Sequence, residues 1–144
     1  MKLILYSFLL WIVCSCHTAK PEQSPTLFRH VNLYSHGRFE LGDSLNKIEP
    51  LTEVLNNRIF LKKSFFGGAD SIEIIPNPDG KISSIIFKYS NETNFPSEVN
   101  DYKKWLGKPM IIQKKAIWKD ATTQFEIYEQ DGTVYSKMID LKNK

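Results

Sequence analysis

Two hairpin turns legible in the sequence constrain the fold of this chain more than any other feature. Asn77-Pro78-Asp79-Gly80 separates the runs Ser71 to Ile75 and Lys81 to Tyr89, and Asp131-Gly132 separates Thr123 to Tyr128 from Thr133 to Ile139. In the first, proline presets φ at the first central position and aspartate suits the second. Glycine accepts the left-handed conformation that closes a type I turn with a G1 bulge. Strands joined this tightly pair antiparallel. In the second hairpin Phe125 and Ile127 alternate with Glu126 and Tyr128, the pattern of a sheet with one dry and one wet face. Ile72, Ile74, Ile82, Ile85 and Ile86 make the first hairpin denser in apolar residues, which places it nearer the middle of the sheet.

Helix signals flank these hairpins. Gly42-Asp43-Ser44 offers capping side chains before Leu45, Ile48, Leu51 and Leu55 at helical spacing. Pro50 divides that segment, so the expectation is a short turn from Ser44 to Glu49 and a fresh helix beginning near Pro50, where a missing N–H costs nothing. A second helix is expected from Pro96-Ser97 through Leu106, stopped by Gly107 and Pro109. Leu27 to Tyr34 alternates loosely and reads as an opening strand turned at His36-Gly37. The order helix then hairpin thus occurs twice, with the two Asp-Gly pairs 52 positions apart, as are Val54 and Leu106. The expected fold class is α+β: an antiparallel sheet of four to five strands with helices on one face, in two helix–hairpin units.

The first sixteen residues, MKLILYSFLLWIVCSC, have a different character. Lys2 followed by a run from Leu3 to Val13, apolar apart from Ser7, and then small residues has the three parts of an export signal. The run is too short for the ~20 apolar residues a membrane-spanning helix needs. Val13-Cys14-Ser15-Cys16 resembles the lipobox of bacterial lipoproteins, which implies cleavage before Cys16 and acylation of that cysteine. The alternative is an ordinary signal cleaved just after Cys16. The expected organisation is a signal over 1–15, an acylated Cys16 with a flexible tether over 16–26, and one domain over 27–144. The tether HTAKPEQSPT is polar, carries two prolines and has no apolar periodicity.

Both cysteines of the chain lie in this segment, so loss of Cys14 and acylation of Cys16 leave no free thiol for catalysis, disulfides or metal. The domain must then be held by an apolar core, for which 42% hydrophobic residues suffice. A net charge of +3, one less once Lys2 is lost, points neither to nucleic acid nor to acidic substrates.

Leu41-Gly42-Asp43-Ser44, Trp105-Leu106-Gly107-Lys108-Pro109 and Trp118-Lys119-Asp120 resemble the β-lactamase-inhibitor-protein and BamE/SmpA-like group of small envelope domains. The chain is also similar to lipoproteins of the Bacteroidota. The resemblance covers roughly residues 39 to 140 and implies an α+β helix–hairpin domain that binds another protein.

Chemical constellations are few. None of the histidines His17, His30 and His36 has a second histidine at i+2 to i+4, and a lone carboxylate, Glu40 at i+4 from His36, makes no ligand set, so no metal or other cofactor is expected. No serine sits in a G-x-S-x-G context, and Gly67-Gly68 lacks the Lys-Ser/Thr of a phosphate loop. Glu49 with Glu53 and Glu126 with Glu129 could serve as acid and base, but read more simply as solvated faces. Lys103, Lys104, Lys108, Lys114, Lys115 and Lys119, interleaved with Trp105 and Trp118, superficially suggest single-stranded nucleic acid. Export removes that partner and leaves two readings: a solvated face with its tryptophans in the core, or a face that leans on anionic lipid or polymer. The adjacent aromatics Phe65 and Phe66 are the candidate anchor for a partner protein. The functional expectation is a membrane-anchored lipoprotein of the cell envelope, at the outer membrane, acting as a protein-interaction module and not as an enzyme. The alternative is an inhibitor or immunity-type protein that blocks an envelope enzyme.

Overall fold

A computed structural model describes residues 26–142. The expected signal, Cys16, His17 and most of the tether lie outside the described residues. Two antiparallel sheets and one α-helix make up the rest. Strands β1 (His30–Leu33) and β2 (Gly37–Glu40) form a separate hairpin. The main sheet has eight strands: β3 (Thr52–Leu55), β4 (Arg58–Leu61), β5 (Ser71–Pro76), β6 (Ile82–Lys88), β7 (Met110–Ile112), β8 (Lys115–Lys119), β9 (Thr123–Gln130) and β10 (Thr133–Asp140). The helix α1 (Phe95–Leu106) links β6 to β7. Strand order across the sheet is β3-β4-β5-β6-β10-β9-β8-β7, antiparallel throughout.

The expected α+β class, with four to five strands and helices in two helix–hairpin units, is therefore overturned. The protein is mostly β. The first expected helix fails for local reasons. Pro50 limits Leu45–Lys47 and Glu49–Leu51 to two separate 3₁₀ turns, and Asp43 does not cap the first of them. Its carboxylate instead accepts from the Glu40 N–H at 2.9 Å and from Lys47 Nζ at 2.7 Å. Beyond Leu51 the chain becomes β3 and reverses through Asn56 and Asn57, whose φ angles of 52° and 60° are those of a type I′ hairpin turn. The helix-like spacing of Leu45, Ile48 and Leu51 still buries those side chains, wholly or in part, against the core.

The expected turns hold. Gly80, at φ 74°, donates to the Asn77 carbonyl at 3.0 Å, and Asp131-Gly132, at φ 50° and 75°, joins β9 to β10. Helix α1 begins one residue before Pro96. Its cap is Asn94, whose Oδ1 accepts from the Ser97 N–H at 2.9 Å.

The eight strands divide into two four-stranded meanders, β3–β6 and β7–β10, whose last strands pair with each other. The registers obey an approximate two-fold axis through that seam. Ile86 faces Lys137 at the centre, Glu73 and Glu126 flank them, and Phe60 and Ile117 come next. On this axis Val54 corresponds to Ile111, not to Leu106, so only the Asp-Gly half of the 52-residue spacing joins equivalent places.

One face of the main sheet carries the core, with Ile72, Ile74, Ile85, Phe125, Ile127, Val134 and Met138 packed under Phe39, Leu41 and Leu106. Helix α1 lies on this face through Tyr102, whose ring is 4.8 Å from Phe125. The segment before β1 is clamped to it by Arg29. That guanidinium donates to the Thr122 carbonyl (2.6 Å), Thr123 Oγ1 (2.9 Å), the Leu41 carbonyl (3.1 Å) and Asp140 Oδ1 (2.9 Å). Two residues earlier the Leu27 N–H donates to Asp120 Oδ2 at 2.8 Å, which fixes where the N-terminal segment meets the domain, beside the end of β8.

Candidate interaction surfaces

The opposite face of the main sheet has no helix or hairpin of the described residues packed on it. Its middle row runs Glu53, Phe60, Glu73, Ile86, Lys137, Glu126, Ile117, Met110, one residue from each strand. Glu73 and Glu126 are only 8% and 7% exposed, because neighbouring side chains lie across them. Arg58 grips Glu73 with two hydrogen bonds, Nε to Oε1 at 2.6 Å and Nη2 to Oε2. Lys115 Nζ reaches Glu126 Oε2 at 3.1 Å, and Gln124 donates to the other oxygen at 2.6 Å. The two pairs occupy equivalent places about the seam. The Glu73 carboxylate raises the Arg58 pKa above its ordinary value. Both cations keep much of their surface in water, so each pair adds little to stability, about 0–1 kcal/mol, and serves chiefly to fix side-chain positions.

Next to this row Tyr128 and Tyr135 stack with centroids 5.3 Å apart, and Lys115 Nζ lies 5.5 Å from the Tyr128 ring centre. Burial raises the Tyr128 pKa, helped by its neighbours Tyr135 and Glu126. Half-buried Ile75, Ile86, Ile117 and Ile139 share this face outside the core cluster. The result is a platform of tyrosine and isoleucine with fixed charges, a composition suited to contact.

A second surface runs along the β7 edge. Every residue from Lys103 to Lys114 is exposed except Leu106 and Pro109. Trp105 is 83% exposed, and Met110, Ile111 and Ile112 each show more than half their surface. The other tryptophan of the basic region, Trp118, is 3% exposed; its indole donates to the Gly107 carbonyl at 2.9 Å and its ring sits 5.7 Å from Phe125. The reading with both tryptophans in the core thus holds for Trp118 alone. Between residues 102 and 119 there are six lysines and no acid. Lys104 pairs with Asp101, Lys114 with Glu129 and Lys115 with Glu126, whereas Lys103, Lys108 and Lys119 form no ion pair among the described residues.

The sequence-derived aromatic pair fares differently. Phe66 is 5% exposed and belongs to the core, with Lys63 Nζ 4.9 Å from its ring centre. Phe65 is half-buried, edge-on to His36 with centroids 4.6 Å apart. The two do not form an exposed anchor. Glu126 and Glu129 point to opposite faces of β9 by alternation, and Glu49 and Glu53 are both exposed. No group of three metal-ligating side chains converges among the described residues.

Sequence reasoning passed over Arg29, Asp140 and Tyr89. The Tyr89 hydroxyl lies 2.9 Å from Ser136 Oγ and 3.4 Å from the Tyr102 hydroxyl, beneath α1. Burial drives its pKa far above the ordinary tyrosine value, so it stays neutral and acts as a structural hydrogen-bonding group. A cleft of about 760 Å³ between the β5–β6 turn and the end of β10 is bordered by Asp79, Ser84 and Lys142.

Comparison with family models, with curated proteins and with solved structures finds no match to this chain. The helix–hairpin domain implied by the β-lactamase-inhibitor-protein and BamE/SmpA-like resemblance differs from the observed architecture.

Proposed function

We propose that the chain is a lipid-anchored lipoprotein of the cell envelope, and that its eight-stranded sheet is a protein-interaction module. The observation that carries the reading is the uncovered sheet face, where tyrosines and isoleucines lie among fixed charge pairs. Such a face offers apolar area for affinity and set charges for orientation. The anchor rests on the Val13-Cys14-Ser15-Cys16 motif. Outer-membrane attachment belongs to the same proposal, as does the absence of catalysis.

Two measurements test it. In a bacterium with an intact lipoprotein pathway the chain should incorporate labelled fatty acid, and Cys16→Ser should abolish both label and membrane association; a Cys16→Ser chain that stays in the membrane refutes the anchor. A photoreactive residue at Ile86 or Tyr135 should yield a discrete protein adduct in the native envelope. Absence of an adduct at both positions refutes the interaction face.

A further inference from the structure

The basic, apolar β7 edge lies where the N-terminal segment meets the domain. Leu27 is held on Asp120, one residue past β8, while the neighbouring strand of that edge, β7, begins at Met110, paired with Ile117. The Trp118 indole ties Gly107 to the same end. From Cys16 to Leu27 the chain spans at most about 40 Å even when fully extended. A bilayer attached at Cys16 is therefore always within reach of Trp105, Lys108 and Met110.

We infer that this edge is a membrane-docking surface, in which Trp105, Met110 and Ile111 enter the headgroup region of a bilayer and Lys103, Lys108 and Lys119 meet anionic phospholipid headgroups. It rests on the anchored reading above and adds an orientation to it. Tryptophan is the side chain that partitions best to the boundary between headgroups and acyl chains, its ring apolar and its N–H polar. Lysines without a protein counter-charge complement an anionic surface, each worth about fivefold in affinity.

The far edge of the sheet acts as an internal comparison. At β3, Val54 and Leu55 are also exposed, yet Glu53 lies beside them, no tryptophan is near in sequence, and the edge sits at the other end of an eight-strand sheet. Among the described residues, apolar exposure, positive charge and nearness to the tether coincide only at β7. Strand addition by a peptide suits β7 poorly, because it has three residues and follows Pro109. Docked this way, the domain uses only the Met110 and Lys119 margin of its uncovered sheet face and leaves the rest of that face, from β9 to the β3 edge, free of the bilayer.

The test uses the full acylated chain reconstituted into vesicles whose lipids carry brominated acyl chains. One set is phosphatidylcholine and the other includes phosphatidylglycerol. The quenching lost on Trp105→Phe isolates this tryptophan from Trp118, since Trp11 leaves with the signal. Docking requires strong Trp105 quenching in the anionic vesicles and weak quenching in the neutral ones. Lys103→Glu with Lys108→Glu should weaken surface affinity more than about 25-fold and remove the quenching, with the chain still floating with the vesicles. An unquenched Trp105 in a vesicle-bound chain overturns the inference, as does quenching indifferent to the lysines, or a photo-adduct at position 105 with protein in place of lipid. Failure of the anchor is read separately, as absence of fatty-acid label. The processed, unacylated chain is then titrated with the same vesicles, and the inference stands or falls on the same dependence on anionic lipid.

Discussion

Replacing Arg29 with methionine tests how the N-terminal segment is held to the domain. The substitution keeps an apolar stem of similar length and removes a guanidinium that makes four hydrogen bonds to Thr122, Thr123, Leu41 and Asp140. The Asp140 side chain is fully buried and the Arg29 side chain is 18% exposed, so solvent screens the pair little. Removing one member of a buried pair costs about 3–5 kcal/mol, chiefly because the remaining charge loses its counter-ion in a poorly solvated place. That is a large share of the roughly 5–15 kcal/mol by which domains of this size are stable. With a urea slope of about 1.5 kcal/mol per molar, the unfolding midpoint should fall by about 2–3 M. Fluorescence of the buried Trp118 reports the transition. Asp140→Asn in the Arg29→Met background should recover part of the loss, because the buried carboxylate facing the methionine is then neutral. A cost below about 1 kcal/mol, or single substitutions whose effects simply add, would refute the assignment of Arg29 and Asp140 as a buried couple.

Two further expectations concern pH. Burial pushes the Asp120 carboxyl up, but hydrogen bonds from the Leu27, Thr122 and Thr123 N–H groups and the Thr122 hydroxyl outweigh it, and the pKa lies below its ordinary value. Its stabilising share is present above about pH 4, the unfolded value, and is lost as pH falls through the lower folded value. Asp120→Asn should therefore lower the melting temperature at pH 7 and matter much less near pH 2.5; an equal deficit at both pH values contradicts this. Glu98 is the opposite case, its pKa raised chiefly by burial and also by the charge of Asp101, with the nearby Tyr89 hydroxyl opposing. Its ionised form disfavours folding above its folded pKa, and that penalty vanishes below about pH 4. Glu98→Gln should raise the melting temperature at pH 7 and leave it unchanged at pH 4. A fall at pH 7 would mean that attraction to the α1 N-terminus outweighs burial.

What could be read from the sequence was local. Asn77-Pro78-Asp79-Gly80 and Asp131-Gly132 define their turns with their own dihedral preferences, and both formed. The hairpins at Asn56-Asn57 and Gln113-Lys114 have no glycine to announce them, and the apolar spacing before the first imitates a helix. Half of the main sheet was consequently missed. Side-chain exposure was less legible still, since it depends on what arrives from elsewhere in the chain. Trp105 and Trp118 sit in similar basic surroundings, yet one ends a helix facing water and the other lies on β8 facing Phe125. Phe66 is buried although Gly67 and Gly68 beside it are exposed. The Arg29–Asp140 pair spans nearly the whole domain and has no short-range pattern.

The β6–β10 seam gives the molecule a symmetry usually found between chains. Two like meanders meeting antiparallel about a two-fold axis make the self-complementary contact of a homodimer, here carried by one polypeptide through α1. A dimer's continuous sheet dissolves on dilution, whereas this one persists at any concentration because its halves are covalently joined. Joining also frees the halves to diverge. One outer hairpin carries an acid and a base, Glu53 and Arg58, and the other carries lysines as its only charges, so a nearly symmetric scaffold presents two unlike ends to its surroundings.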